Sequence, residues 1–172
     1  MNPLVHLDPF GSVLMPILLL WASHGAFFFA AAKPVPYDPR NLRDPRGGAA
    51  KIALAGPAVN LGLAVIFGLL VRLLVYTPVP DVLIELLAII CLINILLGIF
   101  NLVPIPPLDG SRILFAILPP SEATARAMYF LDRWGLVLVL IFVFFGFGVL
   151  VPIIHALFTL FAGPVAGQAL GF

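Results

Sequence analysis

The chain has 172 residues, of which 62% are hydrophobic and 10% are charged, with a mean hydropathy of +1.17 and a net charge of +1. This composition is typical of an integral membrane protein, because soluble domains of this size carry far more charge. The near-neutral charge and the lack of a basic stripe interleaved with aromatic residues exclude a nucleic-acid partner. The single cysteine, Cys91, lies inside an apolar run, which excludes a disulfide framework and predicts a structural thiol.

Three apolar segments are long enough to cross a membrane as helices. About 20 helical residues span a hydrocarbon core of roughly 30 Å, and 52–75, 82–100 and 134–161 meet that length. The opening segment, 1–12, lacks the basic residues that begin a signal peptide, so it is predicted to precede the membrane. The sequence therefore predicts an all-α integral membrane protein, with one membrane domain over 1–172.

The segment 13–32 allows two interpretations. It is apolar and long enough to span, but Ser23, His24 and Gly25 lie at its middle and Pro16 lies near its start. A polar centre of this kind supplies a place for the chain to bend. The segment is therefore either a fourth span or a re-entrant hairpin.

The distribution of basic residues predicts the orientation of the spans. Loops rich in lysine and arginine face the cytoplasm. The first loop carries Lys33, Arg40, Arg43, Arg46 and Lys51, and the connection between the second and third spans carries Arg112, Arg126 and Arg133. The short connection 76–81 contains neither lysine nor arginine, so it is expected on the opposite side.

The stretch FNLVPIPPLDGSRIL, residues 100–114, places an acidic side chain directly after an apolar span. Pro104, Pro106 and Pro107 remove three backbone donors and disfavour helix, so the chain is expected to unwind there. Irregular backbone and a carboxylate are both costly at membrane depth, which favours a functional site at Asp109. The alternative is that Asp109 only caps the helix that follows it. Physical reasoning from these residues leaves both interpretations open.

A second polar position occurs in the stretch AGPAVN. Gly56 and Asn60 are four residues apart, so they share one face of the first predicted helix. Glycine lets a neighbouring backbone approach closely, and an asparagine amide can hydrogen-bond between helices. Plain helix packing is the alternative explanation of this pair. Asn101, at the end of the second predicted helix, is a similar polar position.

Together these motifs resemble those of a known family. F-N-L-x-P-I-P-P-L-D-G-S-R resembles the third core motif of the site-2 proteases, the M50 intramembrane zinc metalloproteases, and AGPAVN resembles their G-x-x-x-N motif. The opening NPLVHLDPFGSVLMP and the loop AKPVPYDPRNLRDPRGG also resemble the compact prokaryotic members. The resemblance implies that Asp109 is a zinc ligand and that Asn101 contacts the substrate or the transition state. It implies substrate-binding roles for Gly56, Asn60, Pro104 and Pro106.

One part of the family pattern does not occur in these 172 residues. The family takes two further zinc ligands and its general base from H-E-x-x-H on a helix upstream of this region, and the sequence has no such motif. The three histidines are His6, His24 and His155, and none has a second histidine three or four residues away. A protein zinc site needs three or four ligands. Zinc and catalysis are therefore expected of a complete protein, and this chain alone is expected to be inactive and to bind no zinc.

Three classes of function fit these features. The first is an intramembrane metalloprotease core, which acts on transmembrane protein substrates within the lipid bilayer of a prokaryotic cell. The second is a catalytically inactive relative that binds membrane proteins without cleaving them. The third is a small transporter subunit, which would suit an acid beside a broken helix, although no pair of similar halves is detectable in the sequence. The resemblance favours the first class.

The hairpin interpretation of 13–32 has a direct test. If the segment re-enters, cysteines introduced as Ser12→Cys and Asp38→Cys are both labelled by an impermeant thiol reagent from the same side of the membrane. Labelling from opposite sides would make the segment a true span.

Overall fold

The computed structural model describes residues 45–169, which belong to the second of the two units, Met1–Asn41 and Leu42–Phe172, into which the chain divides. The predictions for 1–12 and 13–32, and the histidines His6 and His24, lie outside the described residues. The helices are α1 (Pro45–Leu74), α2 (Asp81–Asn101), α3 (Asp109–Ile117), α4 (Glu122–Ile141), a π-helical turn (Phe142–Gly146), a 3-10 turn (Phe147–Val149), α5 (Val151–Ala162) and α6 (Pro164–Ala169).

The fold class predicted from the sequence is confirmed. All regular structure in residues 45–169 is helical, and in this part of the chain three helices are long and apolar enough to cross a membrane. They are Gly47–Leu74, Asp81–Asn101 and Glu122–Val149. The first begins earlier than the predicted 52–75, and the second agrees with 82–100 within one residue at each end. The chain is an all-α integral membrane protein.

The third span differs from the prediction in where it is continuous. The sequence predicted one helix over 134–161, whereas the membrane-length helix begins at Glu122 and ends at Val149, and α5 follows as a separate shorter helix. Pro152 lies in the first turn of α5. In one continuous helix, Pro152 would lack a hydrogen bond to the carbonyl of Gly148 and its ring would clash with that carbonyl. The first turn of a new helix tolerates proline, which explains why the apolar run is divided there.

The core of the described unit lies between α1, α2 and α5. Its fully buried side chains include Val71 from α1, Ile95 from α2 and Phe158 from α5. Cys91 is also buried, and its thiol donates to the carbonyl of Ala64 at a sulfur–oxygen distance of 3.2 Å. This position agrees with the structural role predicted for the thiol.

Glycines bring the three core helices close together. A Cβ atom added at Gly68 of α1 would lie 2.7 Å from the Cβ of Phe161 and 2.8 Å from its carbonyl carbon, so the helix backbones are in direct contact. A Cβ added at Gly98 of α2 would lie 2.9 Å from the Cγ of Leu61. Membrane helices pack largely through such close approach, because lipid removes most of the hydrophobic driving force between them.

Arg72 joins the end of α1 to the end of α5. Its guanidinium Nη2 donates to the carbonyls of Thr159 at 3.1 Å and Leu160 at 2.7 Å. The last carbonyls of a helix lack partners within the helix and carry partial negative charge, so a cation stabilises this end. Gly163 follows with a positive φ of 88°, a conformation that favours glycine and that ends α5.

Two glycines of α1 provide a matched test of this packing. Gly68→Ala is expected to lower the free energy of unfolding by about 1–3 kcal/mol, because the added methyl group overlaps Phe161. Gly62→Ala is expected to be neutral or to stabilise by up to about 1 kcal/mol, since no atom lies within 4 Å of its added Cβ and alanine favours helix. Denaturation in detergent micelles, followed by circular dichroism, measures both. Equal effects of the two substitutions would contradict the packing described.

Candidate active site

The proline loop, residues 102–108, joins α2 to α3 without regular structure. Three of its positions are prolines and have no N–H to donate. Its remaining amides bond locally: Val103 donates to Phe100 at 3.1 Å, Ile105 to Val103 at 2.8 Å and Leu108 to Ile105 at 2.9 Å. The Pro106–Pro107 peptide bond is cis. The predicted unwinding is confirmed, and the N–H groups of the loop donate to nearby carbonyls within short turns.

Asp109 is the first residue of α3. Leu108, not Asp109, occupies the N-cap position, and no side chain caps this end of the helix. The hydroxyl of Ser111 instead donates to the carbonyl of Leu108 at 2.7 Å. A carboxylate in the first turn still interacts favourably with the helix dipole. Asp109 is therefore a first-turn residue, and its carboxylate is not committed to a capping hydrogen bond.

The carboxylate of Asp109 lies against Gly56 of α1. A Cβ added at Gly56 would be 3.3 Å from Oδ2 of Asp109, which is tighter than ordinary contact between such atoms. Asp109 is half-buried, and Gly56 is exposed. Two residues selected from separate motifs of the sequence are thus adjacent. The bare backbone of α1 at Gly56 is therefore in contact with the carboxylate.

Gly110 brings the start of α3 into contact with the first residues of the proline loop. A side chain at this position would overlap the carbonyl groups of Leu102 and Val103. The contact joins Gly110 to Leu102. Asp109 directly precedes Gly110, and Asn101 directly precedes Leu102, so each candidate polar residue is next to a residue of this contact. The close approach at Gly110 therefore holds both ends of the proline loop together.

The other predicted site residues occupy different surroundings. Asn101, the last residue of α2, and Asn60, one turn along α1 from Gly56, are both half-buried. Pro104 is exposed, whereas Pro106 is buried. Pro104 is therefore accessible for contact with another molecule, and Pro106 packs inside the protein.

Two residues near this site were not singled out from the sequence. Pro57 lies inside α1 and is fully buried, and it removes the donor that the carbonyl of Ala53 would otherwise accept from. Gly135, in α4, is buried, and a Cβ there would overlap the carbonyl of Pro106. The signal for Gly135 was an isolated glycine within a helical pattern, and a single sequence does not say which atoms such a glycine meets.

The residues that the structure describes do not form a complete zinc site. Within 45–169, no three histidine, cysteine, aspartate or glutamate side chains come together in a group that could hold a metal. His155, the histidine of α5, does not complete such a group with Asp109. A tetrahedral zinc ion takes either four protein ligands or three protein ligands and a bound water. These residues alone do not fit the ion, and Asp109 is a candidate for one ligand only.

The fold and the site define an all-α membrane protein with a carboxylate at a proline-broken junction between helices. The sequence pattern of Peptidase family M50 matches residues 78–142, a range that includes α2, the proline loop, α3 and α4. The chain is 39% identical over 127 residues to a Bacillus subtilis protein named "Putative zinc metalloprotease YwhC". It is 34% identical over 105 residues to a zinc metalloprotease of Methanocaldococcus jannaschii.

The chain therefore belongs to the M50 peptidase family, the family of the site-2 proteases. The aligned regions cover 70% of this chain and 54% of the Bacillus protein, and 59% of this chain and 29% of the Methanocaldococcus protein. The chain thus spans about half the length of the first relative and less of the second. No solved structure matches the chain at the significance of these relatives.

The metal content of the purified 172-residue chain tests the ligand analysis. Less than stoichiometric zinc is expected, because the described residues bring only one candidate ligand to the site. Inductively coupled plasma mass spectrometry on the detergent-solubilised protein gives the ratio of zinc to chain. A ratio near one that is lost in Asp109→Ala would overturn this expectation and would require ligands from His6, His24 or His155.

Proposed function

We propose that this chain forms the substrate-holding core of a site-2-type intramembrane zinc metalloprotease, which cleaves the transmembrane segments of other membrane proteins. Membership of the M50 family and the names of the relatives support the class of reaction. The 172 residues contain no H-E-x-x-H. In this proposal the general base and the remaining zinc ligands come from a helix outside these residues, on the same polypeptide or on another.

The position of the Asp109 carboxylate beside Gly56 is the observation that carries the proposal. A helix that merely needed a favourable charge in its first turn would not require a neighbouring helix with a bare backbone at the same point. Here the two polar motifs meet, and the carboxylate is half-buried without being used as a cap. An acid in such surroundings is available as an anionic oxygen ligand.

The chain's own residues then have distinct roles in the proposal. Asp109 would supply one anionic ligand to a zinc ion, which would act as a Lewis acid and activate water there. The side-chain amide of Asn101 both donates and accepts hydrogen bonds, which suits it to hold a peptide group. The exposed Pro104 offers the substrate a carbonyl acceptor and no competing donor.

The proposal includes the partners, the cellular location and the membrane orientation of the chain. The partners are the lipid bilayer and transmembrane protein substrates, and the location is a prokaryotic cell membrane. The proline loop and α3 lie on the cytoplasmic side with the basic residues Arg112, Arg126 and Arg133, and the connection 76–81 lies outside. An M50 relative from an archaeon and one from a bacterium support the prokaryotic setting.

Asp109→Asn tests the ligand role, and Asp81→Asn is its matched control. Asp81 is the first residue of α2, as Asp109 is of α3, and neither helix has a side-chain cap. Loss of charge in a first turn costs about 0.3–1 kcal/mol at either position. If Asp109 is a ligand, Asp109→Asn also loses zinc and lowers cleavage by more than about 100-fold, whereas Asp81→Asn does not. The expected loss is this large because mutating residues that only hydrogen-bond to metal ligands already costs about 10–100-fold.

The assay uses protein expressed with the upstream DNA in place, so that any in-frame extension is included, and a model transmembrane substrate. Asn101→Ala is expected to lower cleavage while zinc content is unchanged, because a substrate contact does not hold the metal. Full zinc and full cleavage in Asp109→Asn would show that the acid is only a first-turn residue. Absence of cleavage by the unmodified protein, with binding of the substrate retained, would favour the inactive relative.

A further inference from the structure

Gly135 is one of only two buried residues that the structure gives for α4. The other residues of the helix are exposed or half-buried, and the second buried residue is Val139, one turn further on. A lipid-facing helix of this kind is expected to carry bulky apolar side chains. A buried glycine in this helix therefore needs an explanation.

The contact at Gly135 is made with backbone. A Cβ added there would overlap the carbonyl oxygen of Pro106, and would lie 2.9 Å from its carbonyl carbon and 3.0 Å from its Cβ. A flexible side chain could rotate away from an added methyl group, but a carbonyl within a proline-rich loop cannot. Any larger residue at 135 must move either α4 or the proline loop.

Movement at Pro106 is transmitted to Asp109 because the chain between them is short and tied. Proline fixes φ at Pro106 and at Pro107. The next residue, Leu108, donates its N–H to Ile105 at 2.9 Å, and its carbonyl accepts from the hydroxyl of Ser111 at 2.7 Å. The loop therefore has few ways to absorb a displacement before the carboxylate is reached.

We propose that Gly135 is a positioning residue for the active site: the bare backbone of α4 at Gly135 sets the position of Pro106, and through it the position of the Asp109 carboxylate. Gly56 then limits the carboxylate from the side of α1, while Gly135 sets the loop from the side of α4. The consequence for catalysis rests on the proposed protease function. The geometric part does not, because it concerns only where the carboxylate lies.

The proposal is separable from a role of Gly135 in helix packing alone. If Gly135 only stabilises the fold, Gly135→Ala lowers the amount of folded protein and leaves the site of the folded fraction unchanged. If it positions the site, the folded fraction itself is altered. The reporter is Asp109→Cys in a Cys91→Ala background, and the measurement is its rate of reaction with a small thiol reagent in folded, detergent-solubilised protein.

Gly135→Ala is expected to change the labelling rate at position 109 several-fold, whereas Gly148→Ala is expected to leave it unchanged. Gly148 lies further along the same span, and no atom lies within 4 Å of a Cβ added there. In the protein expressed with the upstream DNA and retaining Asp109, Gly135→Ala is expected to lower kcat by up to about 100-fold with a small change in KM, as expected for misplacement by roughly 1 Å.

Phe142→Ala provides a second variant that adds no atoms. The Phe142 ring, in the π-helical turn directly after α4, packs on Phe100 near the end of α2 with a centroid distance of 6.4 Å, so its removal loosens the end of α4 from α2. If Gly135→Ala yields no folded protein, this variant decides: altered labelling at position 109 supports positioning, and unaltered labelling overturns it. Unaltered labelling in folded Gly135→Ala also overturns it. If the protein expressed with the upstream DNA and without substitutions does not cleave, the proposed function fails while the labelling result still stands.

Discussion

The site depends on one contact: a carboxylate lies at the start of α3, directly after the proline loop, and the backbone of α1 approaches it without a side chain between them. Gly56 permits this contact, since a Cβ there would lie 3.3 Å from Oδ2 of Asp109. An alanine would press on the carboxylate, and a larger residue would occupy its space. A residue of α1 is thus in contact with an acid that is 53 residues later in the sequence.

Close backbone contacts also hold the proline loop. Gly110 lies on the carbonyls of Leu102 and Val103, and Gly135 lies on the carbonyl of Pro106. An irregular loop has no ladder of hydrogen bonds to stiffen it, so its position must be set by what packs against it. In a membrane, where apolar side chains gain little by leaving lipid, backbone contact at glycine is the available means. Gly68 likewise allows α1 to contact the backbone of α5 at Phe161.

Much of this arrangement could be predicted from the sequence, and what could not has identifiable reasons. Length and hydropathy predicted the spans, and the prolines predicted the break before Asp109, because both effects are local. The division at Pro152 was missed because overall hydropathy continues through it. The roles of Gly110 and Gly135 depend on which distant carbonyls they meet, and a single sequence contains no such information. The motif resemblance selected Gly56 and Asp109 separately, and only the structure gives their contact.

Cross-linking between positions 56 and 109 measures the central contact most directly. The variant carries Gly56→Cys and Asp109→Cys in a Cys91→Ala background, and a short bifunctional thiol reagent is applied to the protein in its membrane. The account predicts efficient intramolecular cross-linking of this pair. Gly62→Cys paired with Asp109→Cys is the control, since Gly62 has no neighbour within 4 Å of an added Cβ. Cross-linking of the control pair in preference to the 56–109 pair would contradict the placement of the carboxylate beside Gly56.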